Sequence, residues 1–348
     1  MRLKLTRYSY SMILCLVISA NCIGLIKVSD AATVDENKNA VTEEYWSIQF
    51  ENDFFARSGD RYYTHGTEVS RTVMGQPPQW LEDIATFFPL FESDVALKGV
   101  NYSIGQKIFT PDDTKATEFV VNDRPYAGYL YFSAAMLSRV SRKNNMDTGN
   151  LMEFTLGLVG PGSQGENVQS GYHDLIGIDR ANGWDNQLKD ELGFGLSYTR
   201  FWRYIKPSDS LDYGMTPHVN LVLGTIYTYA ASGVMFRFGT HLNNDLSPPN
   251  IRPGFPGLSL FKPNRQSSWY LFAGIEGRAV ARNIFLDGNT FRDSHSVDKK
   301  SLVADFQYGF VFQTGDVRFS ISNMLRTKEF EGQKDETNFG AVNISFAL

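Results

Sequence analysis

The sequence predicts an all-β protein: a transmembrane antiparallel β-barrel of about 12 strands, with a short helix in an extracellular loop. Three observations predict it. A leader-like segment opens the chain, apolar residues alternate along the rest, and aromatic side chains make up 14% of the total. Alternation places every second side chain on one face of a strand. Closing such a sheet on itself removes the unpaired edges that lipid does not tolerate. A soluble β-sandwich alternates too; the leader, the aromatic load and a last segment that alternates up to Leu348 favour the barrel.

The leader comes first. Arg2, Lys4 and Arg7 form a positive start, no charge occurs from Tyr8 to Ile26, and Ser29 and Ala31 supply small residues for cleavage. This is the pattern of a secretory signal peptide covering residues 1–31. An uncleaved anchor needs about 20 apolar residues, and Ser19, Asn21 and Gly24 break the run. Cleavage would remove four basic residues and Asp30, taking the formal net charge from −5 to −8. It would also remove Cys15 and Cys22, the only two cysteines.

The strands follow in order. Candidates lie near 45–55, 66–74, 100–109, 127–140, 150–159, 192–205, 216–227, 232–241, 268–281, 301–314, 316–326 and 337–348. Leu192, Phe194, Leu196 and Tyr198 alternate with Gly193, Gly195 and Ser197; Phe306, Tyr308, Phe310 and Phe312 alternate with Gln307, Gly309 and Gln313. Val342, Ile344 and Phe346 do the same against Asn343 and Ser345. Residues 32–348 read as one domain, with long loops at 75–98, 160–190 and 243–265. Long loops are where sites tend to sit.

Composition excludes several functions. Two cysteines, both in the leader, rule out a disulfide scaffold and a Cys-rich zinc site. A pI near 5.6 argues against a nucleic-acid partner.

Four segments are more polar and specific than a barrel wall requires. They are Glu51-Asn52-Asp53-Phe54-Phe55, Asp60 to Gly66, Asn122 to Gly128, and Gly160 to Gly177 with its continuation Gly183 to Leu188. In the last, Pro161 and Gly162 end a strand. Ser163 and Glu166 have the spacing of a capping box. Val168, Tyr172, Leu175 and Ile176 then share a face at helical spacing, and Gln169 and His173 are stacked neighbours on the adjoining stripe. On spacing alone, a lid that satisfies its own polar groups is the simpler reading of this helix.

Taken together and in this order, these residues resemble the outer-membrane lipid A 3'-O-deacylase family. The residues that carry the likeness are Asn52-Asp53, Asp60-Arg61 through Thr64 and Gly66, Asp123-Arg124, and Gly160-Pro161 through Glu166, Val168-Gln169, His173 and Ile176-Gly177. The resemblance runs from about residue 44 to the C-terminus. It implies a twelve-stranded outer-membrane barrel with an active site between its wall and a loop helix. It further implies calcium-assisted hydrolysis of the ester-linked acyloxyacyl group at the 3' position of lipid A.

By matching position, His173 is the expected base. Gln169 is expected to orient the attacking water or His173, and Asn52, Asp53 and Thr64 to surround the reacting carbonyl. No serine occupies a nucleophile position, so water is the expected attacker. Asp53 is the first expected calcium ligand and Asp179, where the family can carry a glutamate, the second. Ala181 stands where the family has a tyrosine, and Lys115 is nearest to a family lysine. The expected partners are lipopolysaccharide and outer-membrane lipids, with the protein a monomer. A passive porin and an outer-membrane phospholipase are the alternatives.

One geometric condition attaches to the pair Asn52-Asp53. Neighbours on a regular strand face opposite ways, so the strand must bulge or end there if both line a site. His65 sits beside a motif; His218, His241 and His295 receive no role.

Overall fold

In the computed structural model, residues 43–53, 61–85, 97–142, 146–245 and 261–348 are described. The expected signal peptide, residues 1–31, lies outside them, as do Phe54, Phe55 and Asp60. Twelve strands occur among the described residues. They are β1 (Glu44–Asn52), β2 (Tyr62–Met74), β3 (Leu97–Thr110), β4 (Ala127–Arg142), β5 (Met146–Val159), β6 (Glu191–Lys206), β7 (Asp212–Gly224), β8 (Tyr227–Gly239), β9 (Asn264–Asn283), β10 (Leu302–Gly315), β11 (Val317–Arg326) and β12 (Thr337–Ala347). Each pairs antiparallel with its sequence neighbour, and β1 pairs with β12, with Ile48 opposite Ile344, to close the barrel.

The wall is inverted relative to a soluble protein. Ile104, Phe132, Phe154, Leu156, Phe194 and Leu221 are exposed on its outside. Ser103, Ser133, Thr155 and Ser197, of the opposite parity, are buried inside. That division follows from the period of two and suits a wall bathed in lipid. No described helix is long and apolar enough to cross a membrane; the strands make the crossing.

Two loop expectations change. The turn between β7 and β8 lies at Thr225-Ile226, not near 228–231. The Thr228 hydroxyl donates to the Gly224 carbonyl and accepts from its N–H, which holds the chain in a tight reversal. The 243–265 stretch is not simply a surface loop. Its described ends turn inward: Leu242 and Phe261 are fully buried, and the Phe261 ring packs edge-on against Tyr45 at 5.4 Å. Asp245 accepts from Arg318 Nε at 2.9 Å and from the Tyr270 hydroxyl at 2.6 Å. The Arg203 guanidinium donates to the carbonyls of Leu242 and Asp245. These contacts lie at the end of the barrel where β1 begins and β12 ends.

The opposite end carries the longest connection, residues 160–190 between β5 and β6, as the extracellular ends of such barrels do. There the β5–β6 connection forms a 3₁₀ turn (Pro161–Ser163) and the helix α2 (Gly165–Ile176). A first helix, α1 (Gln79–Ala85), lies at the other end. The connection after β9 begins with one helical turn (Ile284–Asp287), whose Phe285 is fully buried and stacks on Phe109 at 4.0 Å between centroids.

Candidate active site

Helix α2 begins differently from the capping-box expectation. Its N-cap is Gln164, in the left-handed conformation at φ 62°, and no side chain caps it. Ser163 belongs to the preceding 3₁₀ turn and its hydroxyl donates to the Gly160 carbonyl at 2.6 Å. The tight path through Gly160, at φ 105°, sets this geometry before Ser163 can reach the helix.

The helix lies on β3 and β4 by way of two glycines. A Cβ on Gly165 would stand 2.8 Å from the Gly128 Cα, and one on Gly128 would meet the Gly165 backbone at 3.0 Å. Backbone meets backbone, so the helix sits close to the wall. The Gln106 side chain adds a bond to the Ser163 carbonyl at 2.6 Å.

The stripe facing the wall is the polar one. Gly165, Gln169 and His173 are buried, whereas Val168, Leu175 and, beyond the helix, Ile178 are at least two-fifths exposed. The exposed face is mixed, since Glu166, Asn167 and Asp174 share it with Val168 and Leu175.

Both buried side chains are fixed. Gln169 Oε1 accepts from the indole N–H of Trp184 at 2.8 Å. His173 Nδ1 lies 2.6 Å from the backbone carbonyl of Asp179. A carbonyl only accepts, so Nδ1 carries the hydrogen, and in the neutral ring Nε2 is the basic nitrogen. Gly177, at φ 72°, makes this contact possible. It ends the helix with its N–H on the His173 carbonyl at 2.9 Å and turns the chain back toward the ring.

The β1–β2 side supplies the other expected residues. β1 ends at Asn52, and Asp53 lies just past it; both are buried. The strand thus ends at the pair, as the condition on two adjacent site residues requires. Asn52 Nδ2 donates to the Thr64 carbonyl at 2.9 Å. Asp53 Oδ2 accepts the Arg61 N–H at 2.6 Å. Pairing of β2 with β3 slips between Tyr63 and His65, so Thr64 is the inserted residue of a bulge. The bulge explains three consecutive buried side chains, Tyr62, Tyr63 and Thr64, in a strand that otherwise alternates. The Thr64 hydroxyl is 2.7 Å from that of Thr110.

The two halves meet through an aromatic contact. His65 is the strand partner of Asn52, and its ring lies 6.0 Å from that of Tyr172, the residue before His173. The outer ends of β1 and β2 and the buried stripe of α2 therefore share one corner of the barrel. Asp179 differs from the other expected residues. Its carboxylate is 89% exposed and 3.9 Å from Lys115, and only its carbonyl turns toward His173.

The donors near Asn52 and Asp53 are oxygens, the chemistry a hard divalent cation takes. With Asn52 Nδ2 donating to the Thr64 carbonyl, any cation ligation by Asn52 would fall to its Oδ1. Among the described residues no three His, Cys, Asp or Glu side chains cluster as a metal cage. Calcium also draws on amide and backbone oxygens, so this donor set suits calcium and not zinc.

Sequence reasoning gave no role to Trp184, although its segment was singled out; a buried tryptophan needs an acceptor, and Gln169 is that acceptor. Glu51, named in the first polar segment, likewise received no role. This carboxylate next to Asn52 accepts from the Tyr63 hydroxyl and lies 3.2 Å from Lys107 Nζ, all three being buried. Asp123, in the third motif, accepts the N–H groups of Asp112 and Arg124. Burial nonetheless holds its carboxyl above the usual range.

No curated protein sequence matches the chain. Its fold is similar to that of LpxR from Salmonella typhimurium, with a TM-score of 0.71 at 20% identity, over 87% of this chain and 99% of that one. More distant likenesses are to the beta domain of the Bordetella autotransporter BrkA (TM-score 0.46, 8% identity, 88% of this chain and 100% of that one) and the translocator domain of NalP from Neisseria meningitidis (0.43, 9%, 97% and 96%). The model of the family described as outer membrane protein LpxR matches residues 12–348. A closed twelve-stranded wall, apolar outside and polar within, together with that match, means that this chain is an outer-membrane barrel and belongs to the outer membrane protein LpxR family.

Proposed function

We propose that the protein is a lipid A deacylase that hydrolyses the 3'-linked acyloxyacyl ester with water activated by His173. The observation that carries this reading is the bond from His173 Nδ1 to the Asp179 carbonyl, which fixes Nε2 as the basic nitrogen on the buried face of a wall-docked helix. Family membership and the sequence resemblance supply the substrate class.

The steps balance. Nε2 takes a proton from water as the oxygen attacks the ester carbonyl. The tetrahedral intermediate collapses, and the imidazolium returns the proton to the departing sugar oxygen. The products are a free acyloxyacyl acid and a lipid A with a 3'-hydroxyl. Gln169, its Oε1 held by Trp184, acts on the water as a donor through Nε2. Asn52 and Thr64 pack against each other and hold Asp53 at the end of β1. Calcium held by Asp53, when bound, would polarise the ester carbonyl and stabilise the oxyanion. Asp179 serves in this scheme through its carbonyl, as the group that orients His173.

His173→Ala is the test. It should lower the rate of lipid A deacylation by about 10²–10⁴-fold, the usual worth of a general base, while the barrel keeps its heat-modifiable gel mobility. A folded variant with the wild-type rate overturns the proposal. Release of fatty acid from phospholipid but not from lipid A would replace this substrate with that of a phospholipase.

A further inference from the structure

Along β8 and β9 the lipid-facing side chains shrink toward the outer end, and on β10 the small Ala304 sits between the larger Phe306 and Leu302. Lower on the wall they include Phe236, Leu271, Ile275 and Phe306, all prominently exposed. Above these come Ala230 and Ser232 on β8, Gly277 and Ala279 on β9, and Ala304 on β10. Strand register sets them side by side: Gly277 lies between Ser232 and Ala304, and Ala279 beside Ala230. The result is a trough of about 890 Å³ in the outer surface of the barrel, within the usual size range of ligand clefts. Backbone geometry does not require the glycine. A Cβ on Gly277 would meet nothing within 4 Å, and its φ is not in the left-handed region.

The rim of the trough carries charges of both signs. Lys300 and Lys328 line it from the loops after β9 and β11. Lys300 also reaches exposed Glu331 at 2.7 Å, and the lining includes the carboxylate of Glu336. Arg278 belongs to the lining too, but its charge is taken up by Glu276 and Asp305.

We propose that this trough is an accessory site for a phosphorylated lipid of the outer leaflet, with one acyl chain in the hollow and its phosphate against Lys300 and Lys328. The wall faces the bilayer, so a hollow in it is filled by lipid. It lies where the strands end, at the height where chains give way to headgroups. Its two lysines offer ammonium donors to a negative headgroup, which competes with Glu331 for Lys300. The trough occupies the β8–β11 sector, whereas α2 packs on β3 and β4. This inference rests on the outer-membrane placement of the barrel and not on the deacylase reading.

The experiment is native mass spectrometry of the full chain in detergent micelles with bisphosphorylated lipid A, counting bound lipid whether intact or shortened. Wild-type protein should retain one more lipid A than Gly277→Leu or the pair Lys300→Gln and Lys328→Gln. Neutralising both lysines should weaken that binding on the order of 30-fold, taking each basic group near an anionic surface at about 1 kcal/mol. Lipid A stripped of its phosphates should bind as weakly to wild type as the phosphorylated form does to the lysine variant. His173→Ala should retain the extra lipid. Equal retention by wild type and Gly277→Leu overturns the site, and so does equal binding of the two lipid forms. Should the lysine variant fail to fold, Gly277→Leu, which fills open space on the outer wall, still decides.

Discussion

Replacing Gly165 by alanine separates a docked helix from a merely formed one. Helix propensity alone says that alanine stabilises the helix, by up to about 1 kcal/mol. Contact geometry says the opposite for the site. The new Cβ would sit 2.8 Å from the Gly128 Cα and 3.2 Å from the Trp184 ring. Carbon pairs rest about 3.5–4.0 Å apart, so the helix must retreat by roughly 0.7–1.2 Å. Gly128 cannot give instead, because it pairs with Ile108 of β3 on one side and its carbonyl accepts the Gly160 N–H at 3.0 Å on the other. Retreat carries Gln169 and His173 away from Asn52 and Asp53, and a displacement of about 1 Å can cost on the order of 100-fold in rate. Gly171→Ala is the control: it lies on the same helix, and its Cβ would meet nothing within 4 Å. The assay is the initial rate of fatty-acid release from purified lipid A in detergent, with gel mobility confirming the barrel. Gly165→Ala should be about 100-fold slow, and Gly171→Ala should match wild type. The reasoning fails if Gly165→Ala is as fast as wild type, or if both variants are equally slow.

Trp184→Phe keeps the ring but leaves the buried Gln169 Oε1 without the indole N–H; it should cost about 1–3 kcal/mol in thermal or denaturant stability and slow deacylation. A variant equal to wild type in both would sever Trp184 from the site. Gly177→Ala puts a side chain at φ 72° and should destabilise the helix terminus by about 1–2 kcal/mol, with a rate loss from misplacing the Asp179 carbonyl. Hydrogen exchange across residues 165–180 reads the first effect and the lipid assay the second. Asp53→Asn should raise the calcium concentration needed for half-maximal rate, whereas Asp179→Asn, whose carboxylate is exposed, should leave it unchanged. Chelator titration with calcium add-back measures both, and the reverse order would make Asp179 the principal ligand.

Period-two alternation carried the barrel because lipid outside and packed polar groups inside impose opposite chemistry on alternate residues. The strand windows, such as 127–140 against Ala127–Arg142, therefore fell close to the observed elements. Boundaries shifted where local bonding overrides the pattern. The bulge at Thr64 hides the start of β2, since three adjacent residues are buried and the alternation is lost. The turn at Thr225-Ile226 has no glycine within it to announce it.

The candidate site was legible at Asn52, Asp53, Thr64, Gln169 and His173 because their segments are too polar for a wall. Their pairing was not. Which stripe of α2 faces the barrel depends on the close approach of Gly128 and Gly165, two residues distant in sequence. Trp184 became visible only when the loop folded back to place it on Gln169.

Mass spectrometry of lipid A from cells expressing the wild-type chain, His173→Ala or no added protein tests the central claim most directly. The account predicts a loss of mass equal to the 3' acyloxyacyl group with wild type alone. Identical lipid A in all three, with the barrel folded in the outer membrane, would contradict it.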